Sequence, residues 1–150
     1  MGKLIEKLLG GNTGSVVTVE PDYIVINDGV SYAAVDEIST VAYPQKVLVI
    51  YDHDVPTGRP EAAAILRKNL AFAEEYQVVK PGQIIIGGGS HGSIFGAKGA
   101  LGINVSIPEL ARVTETGRYS IVVPETVEIS LKGSLKEGVS IMDAAFSFLK

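Results

Sequence analysis

Residues 83–92, Gln-Ile-Ile-Ile-Gly-Gly-Gly-Ser-His-Gly, place three isoleucines directly before a glycine-rich turn. A continuous apolar run of this kind is typical of a strand that is buried on both faces of a parallel sheet. A similar run, Lys-Val-Leu-Val-Ile-Tyr, occupies residues 46–51. Between the two runs, Pro60 and the apolar residues that recur at helical spacing as far as Tyr76 predict a long helix. Strand, helix and strand in this order predict a right-handed parallel crossover.

The flanking sequence predicts shorter elements around this unit. Further helices are predicted at residues 3–9, 32–38, 108–116 and 141–149, with Ser106 and Gly117 bounding the third and Ser140 and Asp143 forming a capping box in the fourth. Further strands are predicted at residues 15–19, 23–26, 119–123 and 126–132. The last of these strands rests on the alternation of Val127, Ile129 and Leu131 with polar residues. Together the elements predict one layered α/β domain over residues 1–150, in three α/β/α layers around a mostly parallel sheet.

The composition limits what such a domain does. The chain has 150 residues, a net charge of −4 and no run of Lys and Arg, so nothing favours a nucleic acid or an anionic membrane as its partner. It contains no cysteine, which excludes disulfides and thiolate metal sites formed by this chain alone. The sequence shows no signal-peptide pattern, and its apolar runs are too short to span a membrane. We therefore expect a soluble cytoplasmic protein.

Both histidines of the chain follow the two apolar runs. His53 lies in residues 51–56, Tyr-Asp-His-Asp-Val-Pro, and His91 lies in the glycine-rich turn. Ligands of open α/β sheets bind outside the carboxyl ends of the strands, which is where both histidines are predicted. A carboxylate beside His53, such as that of Asp52, favours the protonated imidazole. His53 is therefore a candidate acid or anion ligand.

Plainer interpretations of both turns remain open at this point. An Asp-His-Asp turn is often a solvated loop, and a glycine-rich turn is often only the tight exit that a buried strand needs. Gly87, Gly89 and Gly92 also match the G-x-G-x-x-G fingerprint of dinucleotide sites. Residues 93–100 contain two further glycines and make a poor continuous helix, which disfavours that site. The successive N–H groups of the turn could still bind a carboxylate or a phosphate.

Several motifs, in their order along the chain, resemble the large-subunit family of aconitase and 3-isopropylmalate dehydratase. Residues 87–97 resemble its Gly-Thr-Asp-Ser-His-Thr…Tyr-Gly-Ala signature, and residues 52–53 resemble its Asp-His turn. Residues 27–29, Asn-Asp-Gly, are similar to its His-Asp-Gly, and residues 123–127 are similar to its Val-Pro-Glu-Thr stretch. The resemblance covers nearly the whole chain. It implies the fold of an aconitase N-terminal domain, with residues 1–150 equivalent to the first domain of a longer family member.

The resemblance also implies a chemistry. The family dehydrates and rehydrates small hydroxy-polycarboxylic acids, using a [4Fe–4S] cluster and three histidines that are each paired with a carboxylate. Carried over by position, the catalytic residues implied here are Asp52, His53 and His91. The substrate-binding residues implied are Asp28, Gly89, Ser90 and Ser93. No metal ligand is implied within this chain.

Departures from the family pattern limit this expectation. Gly89 replaces the family's aspartate, and Tyr76 stands where the family has the histidine that pairs with it. The cluster cysteines and the catalytic serine base of the family belong to later regions or to a separate swivelling subunit. We therefore expect no cofactor bound by this chain alone and no dehydratase activity without partners. The expected partners are a small carboxylate, a cysteine-bearing cluster domain and a small swivelling subunit, and homo-oligomers could also cover an exposed face.

Three interpretations of function stay open from the sequence. The chain is a hydro-lyase component that shares an active site with other chains, or it is a fragment of a longer gene product. The alternative is a degenerate family domain that binds an anion or carboxylate without catalysis.

Overall fold

The computed structural model describes residues 3–27, 29, 34, 36–50, 79–90 and 92–148. These residues form two sheets. The smaller sheet is an antiparallel pair of β1 (Val16–Val19) and β6 (Tyr119–Val122). The larger sheet is parallel throughout and contains β2 (Tyr23–Asn27), β3 (Val47–Ile50), β4 (Ile84–Gly88) and β5 (Leu101–Val105). The predicted α/β class with a mostly parallel sheet is confirmed.

Short helices flank these sheets. The α-helices are α1 (Leu4–Leu9), α2 (Ile107–Thr116) and α3 (Ile141–Phe148), and two 3-10 helices span Pro44–Lys46 and Gly92–Lys98. Ala34, Asp36 and Glu37 are also helical, in agreement with the helix predicted at residues 32–38. The helix predicted between Pro60 and Tyr76 lies outside the described residues. Within the described ranges, no helix combines the length and the apolar character that crossing a bilayer requires.

The strand order of the parallel sheet creates a switch point. The order is β3-β2-β4-β5, so β2 and β4 are neighbours although they are not consecutive. The chain leaving β2 continues to β3 on one side, whereas the chain leaving β4 continues to β5 on the other side. Adjacent strands with diverging connections leave a crevice outside their carboxyl ends, which is where open α/β sheets bind ligands.

The parallel sheet is covered on both faces. On one face, Ile24 and Ile86 of the two central strands pack against Leu110 and Val113 of α2, and all four are almost fully buried. On the other face, Val25 and Ile85 pack with Ala100 and with the partly buried Phe95. Burying one such large side chain stabilises the fold by about 1.5–3 kcal/mol. The central strands therefore hold their carboxyl ends in a fixed position.

Local signals bound the helices as predicted. Ser106 caps α2 at its beginning, and Gly117 ends α2 in the left-handed conformation at a φ of 69°. In α3, the Asp143 carboxylate accepts hydrogen bonds from the backbone N–H and the hydroxyl of Ser140, at 2.8 and 2.6 Å. Both predicted caps are confirmed.

The predicted strand at residues 126–132 is wrong. This stretch forms neither helix nor strand, and it pairs with no strand in the part of the chain that the structure describes. Its alternating apolar side chains are exposed, with Val127 at 82%. The alternation alone does not make a strand, because a strand also needs a neighbour for its backbone groups.

Other predictions need smaller corrections. The strand at residues 46–51 is half-buried rather than buried on both faces, because β3 lies at one end of the described sheet. The strands on either side of the turn at residues 20–22 belong to different sheets. Strand β5 is not predicted from the sequence, because Gly102 and Asn104 interrupt its apolar pattern.

Glu109 links the α2 cap to the neighbouring sheet. Its Oε2 accepts hydrogen bonds from the Ser106 hydroxyl and backbone N–H, at 2.6 and 2.9 Å, and its Oε1 accepts one from the Tyr119 hydroxyl at 3.3 Å. The bond from the Ser106 hydroxyl, followed by the bond from its N–H, lowers the pKa of Glu109 below the ordinary 4.5. A carboxylate whose pKa is lower in the folded state stabilises the protein at pH values above its unfolded-state pKa. This stabilisation is lost as the pH falls through the folded-state pKa.

We therefore expect Glu109→Gln to lower the free energy of unfolding by about 1 kcal/mol at neutral pH, the usual worth of such a cap. The deficit should shrink as the pH falls below 4.5, the ordinary pKa from which Glu109 is lowered. Urea unfolding across a pH series measures it, with Glu137→Gln on an exposed turn as the control. A deficit that stays constant in acid would contradict the role of the carboxylate.

Candidate functional site

A cavity of about 590 Å³ opens at the switch point. This volume lies within the range of small-molecule sites. Its walls come from the carboxyl ends of three parallel strands and from the turn after β4. The lining residues are Val25, Asn27, Ile50, Gly87, Gly88, Ser90 and the residues from Gly92 to Phe95.

The cavity wall combines an apolar side with uncharged polar groups. Ile50 and Phe95 contribute apolar surface, whereas Asn27, Ser90 and Ser93 contribute an amide and two hydroxyls. No charged side chain belongs to the described lining. An anion held here would therefore be bound by hydroxyls and by backbone N–H groups, together with any charged group supplied from residues outside the described lining.

The turn after β4 lies close to β2. A Cβ on Gly87 would lie 3.4 Å from the carbonyl oxygen of Val25, which is ordinary contact with the neighbouring strand. Gly89 has a φ of +88°, and a Cβ there would lie 3.1 Å from the Nδ2 atom of Asn27. The left-handed region is unfavourable for most residues with a side chain. The backbone at Gly89 therefore favours glycine over the aspartate that the resemblance would place there.

Asn104 of β5 holds the other end of the same turn. Its Oδ1 accepts a hydrogen bond from the Gly92 N–H at 2.9 Å, and its Nδ2 donates one to the Ser90 carbonyl at 3.4 Å. A Cβ on Gly92 would overlap the Asn104 Oδ1, and a Cβ on Gly102 would overlap the Gly92 carbonyl oxygen. The turn thus lies directly on β5, and the two hydrogen bonds bracket position 91.

Asn104 shapes the site but is not predicted from the sequence. A lone amide inside the Leu-Gly-Ile-Asn-Val strand was the available signal, because a polar side chain there needs a specific partner. That signal shows that Asn104 needs a hydrogen-bond partner, but it does not show which residue the partner is. The partners lie 12 and 14 positions away in the sequence.

The structure brings three of the predicted site residues together. Ser90 and Ser93 line the cavity, and Gly89 lies in the turn that forms its rim. Asp28, Asp52, His53 and His91 lie outside the described residues, so their places stay predictions. Their chain neighbours are informative: Asn27 directly precedes Asp28, Ile50 lies two positions before Asp52, and both neighbours line the cavity.

The residues of this chain do not fit an iron–sulfur cluster. Such clusters are held chiefly by cysteine thiolates, and the sequence contains no cysteine. Among the described residues there is also no cluster of three or more His, Asp or Glu side chains that could hold a metal ion. No chemical step is therefore assigned to a cluster held by this chain.

Comparisons with known proteins point to one family. The model of the aconitase family (aconitate hydratase) matches residues 70–150, which include the turn at the cavity. The chain is 24% identical to the homoaconitase large subunit of Thermus thermophilus, over 98% of this chain and 42% of that protein. It is 30% identical to 3-isopropylmalate dehydratase large subunit 2 of Methanopyrus kandleri, over 89% of this chain and 39% of that protein.

A third relative shares a higher identity over a shorter stretch. The chain is 33% identical to the probable 3-isopropylmalate dehydratase large subunit of Methanosarcina mazei, over 72% of this chain and 30% of that protein. The chain thus spans less than half the length of each of these relatives.

The hydrogen bonds of Asn104 predict how the turn responds to substitution. Asn104→Ala removes both bonds, so we expect the Gly92 amide to exchange with solvent about tenfold faster, as for the loss of one ordinary hydrogen bond. Asn104→Asp is the matched control, because its carboxylate still accepts from the Gly92 N–H. Hydrogen exchange followed by NMR measures both variants. Equal protection of Gly92 in the wild type and in Asn104→Ala would show that the side chain does not hold the turn.

Proposed function

This chain belongs to the aconitase family, and from that premise we propose that it binds a small hydroxy-polycarboxylate in the cavity at the switch point. In this proposal it is a hydro-lyase component that needs other chains or domains for dehydratase activity. The proposal includes a cytoplasmic location, which fits a small metabolic acid as the ligand. The observation that carries it is that the turn bearing the family-like Ser-His motif also forms the wall of the cavity.

The chemistry of the cavity suits such an acid. Carboxylate oxygens accept hydrogen bonds, and the Ser90 and Ser93 hydroxyls donate them. The N–H groups of the glycine-rich turn add donors that need no side chain. The apolar surface of Ile50 and Phe95 suits the carbon skeleton of the acid. A hydroxy-polycarboxylate presents both kinds of surface.

The proposed roles follow the family resemblance. His53, held in its protonated form by Asp52, donates a proton from an imidazole nitrogen to the departing hydroxyl or binds a carboxylate. His91, which follows Ser90 in the turn, is the second proton carrier. Asp28, Gly89, Ser90 and Ser93 bind and orient the acid. A positioned general acid contributes roughly two to four orders of magnitude to a rate, which is too little to expel a hydroxide without further help.

That shortfall is the reason for proposing partners. The relatives named above are large subunits, and this chain spans about two fifths of the first two. We propose a cysteine-bearing polypeptide that carries the cluster and a small swivelling subunit that carries the base. Both would complete the site from outside this chain.

A second candidate function rests on the conformation of Gly89. The φ of +88° at this position is unfavourable for the aspartate that the family carries there. The backbone conformation at Gly89 thus agrees with the loss of the family's aspartate. This favours a domain that has kept its carboxylate site and lost catalysis. This candidate shares the binding cavity with the first and differs in needing no cluster-bearing partner.

Both candidates predict binding of the acid to the chain. Titration calorimetry with citrate and with isopropylmalate should detect it, and Ser90→Ala should weaken it by about tenfold or more, because a hydrogen bond to a charged group is lost. Ser120→Ala, on the smaller sheet, is the matched control and should bind as the wild type does. Affinity that is unchanged in Ser90→Ala, or no binding at millimolar concentrations of either acid, would refute the site.

Activity separates the two candidates. Reconstituted with a cysteine-bearing large-subunit segment and a small subunit, the chain should form the unsaturated acid, which is followed by its ultraviolet absorbance. His53→Ala should then lower kcat by about two to four orders of magnitude while the complex still assembles. A chain that binds the acid but yields no product with any such partner belongs to the non-catalytic candidate.

A further inference from the structure

The C-terminal segment, residues 124–147, is exposed almost throughout. Every described side chain in it is exposed except that of Ala144, which is half-buried. Eight of the fourteen exposed large hydrophobic side chains in the described part of the chain lie here, including Val127, Ile129, Leu131 and Phe146. Soluble monomers rarely leave so much apolar surface uncovered, and such surfaces usually mark an interface.

The first part of this segment has the two-residue period of a strand. Val127, Ile129 and Leu131 alternate with Glu128, Ser130 and Lys132. The Ser130 hydroxyl lies 3.5 Å from the Glu128 carboxylate, so these two polar side chains lie on one side of the chain. Among the described residues, none pairs with residues 126–132 as a neighbouring strand. The segment therefore combines a strand pattern with unpaired backbone, which is the property of a free edge.

We propose that residues 126–132 pair with the same residues of a second copy of this chain as antiparallel strands around a two-fold axis. The axis passes at Ser130, so that Ser130 faces its own copy. This register places Glu128 opposite Lys132 of the second copy, twice by symmetry. It also places Ile129 opposite Leu131 of the second copy, again twice. The proposal is independent of the ligand of the cavity.

Charge complementarity is the argument for a second copy as the occupant. Opposite charges directly across an antiparallel pair stabilise it, and like charges there destabilise it. With Ser130 at the axis, the two ion pairs lie on one face and four apolar side chains lie on the other. Moving the axis by one residue to Ile129 would face Glu128 with Ser130 and remove both direct ion pairs. The sequence of this stretch is thus complementary to itself in one register.

The size of the segment is sufficient for a dimer. Its 24 residues, 124–147, match the roughly 20–30 residues per side of a standard interface. In α3, Ile141, Met142 and Phe146 are 58–65% exposed, and they provide apolar surface to cover the apolar face of the paired strands. An isologous contact of this kind closes on itself and gives a dimer rather than a fibre.

Sedimentation equilibrium of the full chain tests the proposal. We expect a mass that rises with concentration from one chain to two. Ile129→Lys should weaken the dimer by at least about tenfold, because a lysine then faces Leu131 across the pair. Leu4→Lys, at an exposed apolar side chain of α1 outside the segment, is the matched control and should leave the dimer unchanged. Circular dichroism should show that both variants stay folded, since both side chains are exposed.

Charge exchange tests the register. Glu128→Lys alone and Lys132→Glu alone each place like charges opposite one another twice, and each should weaken the dimer by about tenfold. Mixing the two variants should restore it, because a mixed dimer has two opposite-charge pairs again. An affinity tag on one variant makes the mixed dimer visible.

Each other outcome overturns the proposal. A single-chain mass at all concentrations refutes self-pairing. The register is refuted if the charge variants dimerise as strongly as the wild type, or if mixing them does not restore the dimer. A monomer that binds a cysteine-bearing polypeptide of the family through Ile129 assigns the surface to that partner instead. Loss of acid binding in the cavity would leave all of these results unchanged, so the two proposals fail separately.

Discussion

Close packing of β4 between β2 and β5 is the constraint on which the described site depends. Ile85 and Ile86 of β4 are almost completely buried, one on each face of the sheet, and this fixes the strand in place. A Cβ on Gly87, near the end of the strand, would be in ordinary contact with Val25, so this strand end lies directly beside β2. The turn that follows has only the narrow space between Asn27 on one side and β5 on the other. The cavity exists because the next connections leave β2 and β4 in opposite directions.

The glycines of this turn provide no side-chain groups, but they let the backbone lie close to its neighbours. Gly92 and Gly102 leave room for Asn104 and for the Gly92 carbonyl, so the turn approaches β5 more closely than side chains would allow. Gly89 adopts a φ that an aspartate would adopt only with strain. A site built in this way offers donors from its backbone and its serines. It offers no fixed negative charge at Gly89 that would raise the pKa of a neighbouring imidazole or orient its ring.

The parts of the fold that could be predicted are those that depend on nearby residues. The α2 helix was predicted from Ser106 and Gly117, because a cap is made by residues within one turn of the helix end. Strand β4 was predicted from its isoleucine run, because such a run indicates burial on both faces whichever segments cover the strand. The strand β5 was missed because Asn104 and Gly102 serve the turn at Gly92, a contact that spacing along the chain does not reveal.

The same distinction explains why the strand predicted at residues 126–132 does not form. It also applies to the cavity at the switch point. Alternation at Val127, Ile129 and Leu131 reports which side of the chain is apolar, whereas pairing depends on a second segment. If the cavity binds a polycarboxylate as proposed, a similar requirement applies there, because the uncharged donors of its described lining leave much of the ligand charge uncompensated. In both places the local residues are suited to a contact whose other half is not among the described residues. In the two proposals above, assembly with another chain completes each surface, and different groups select the partner in each case.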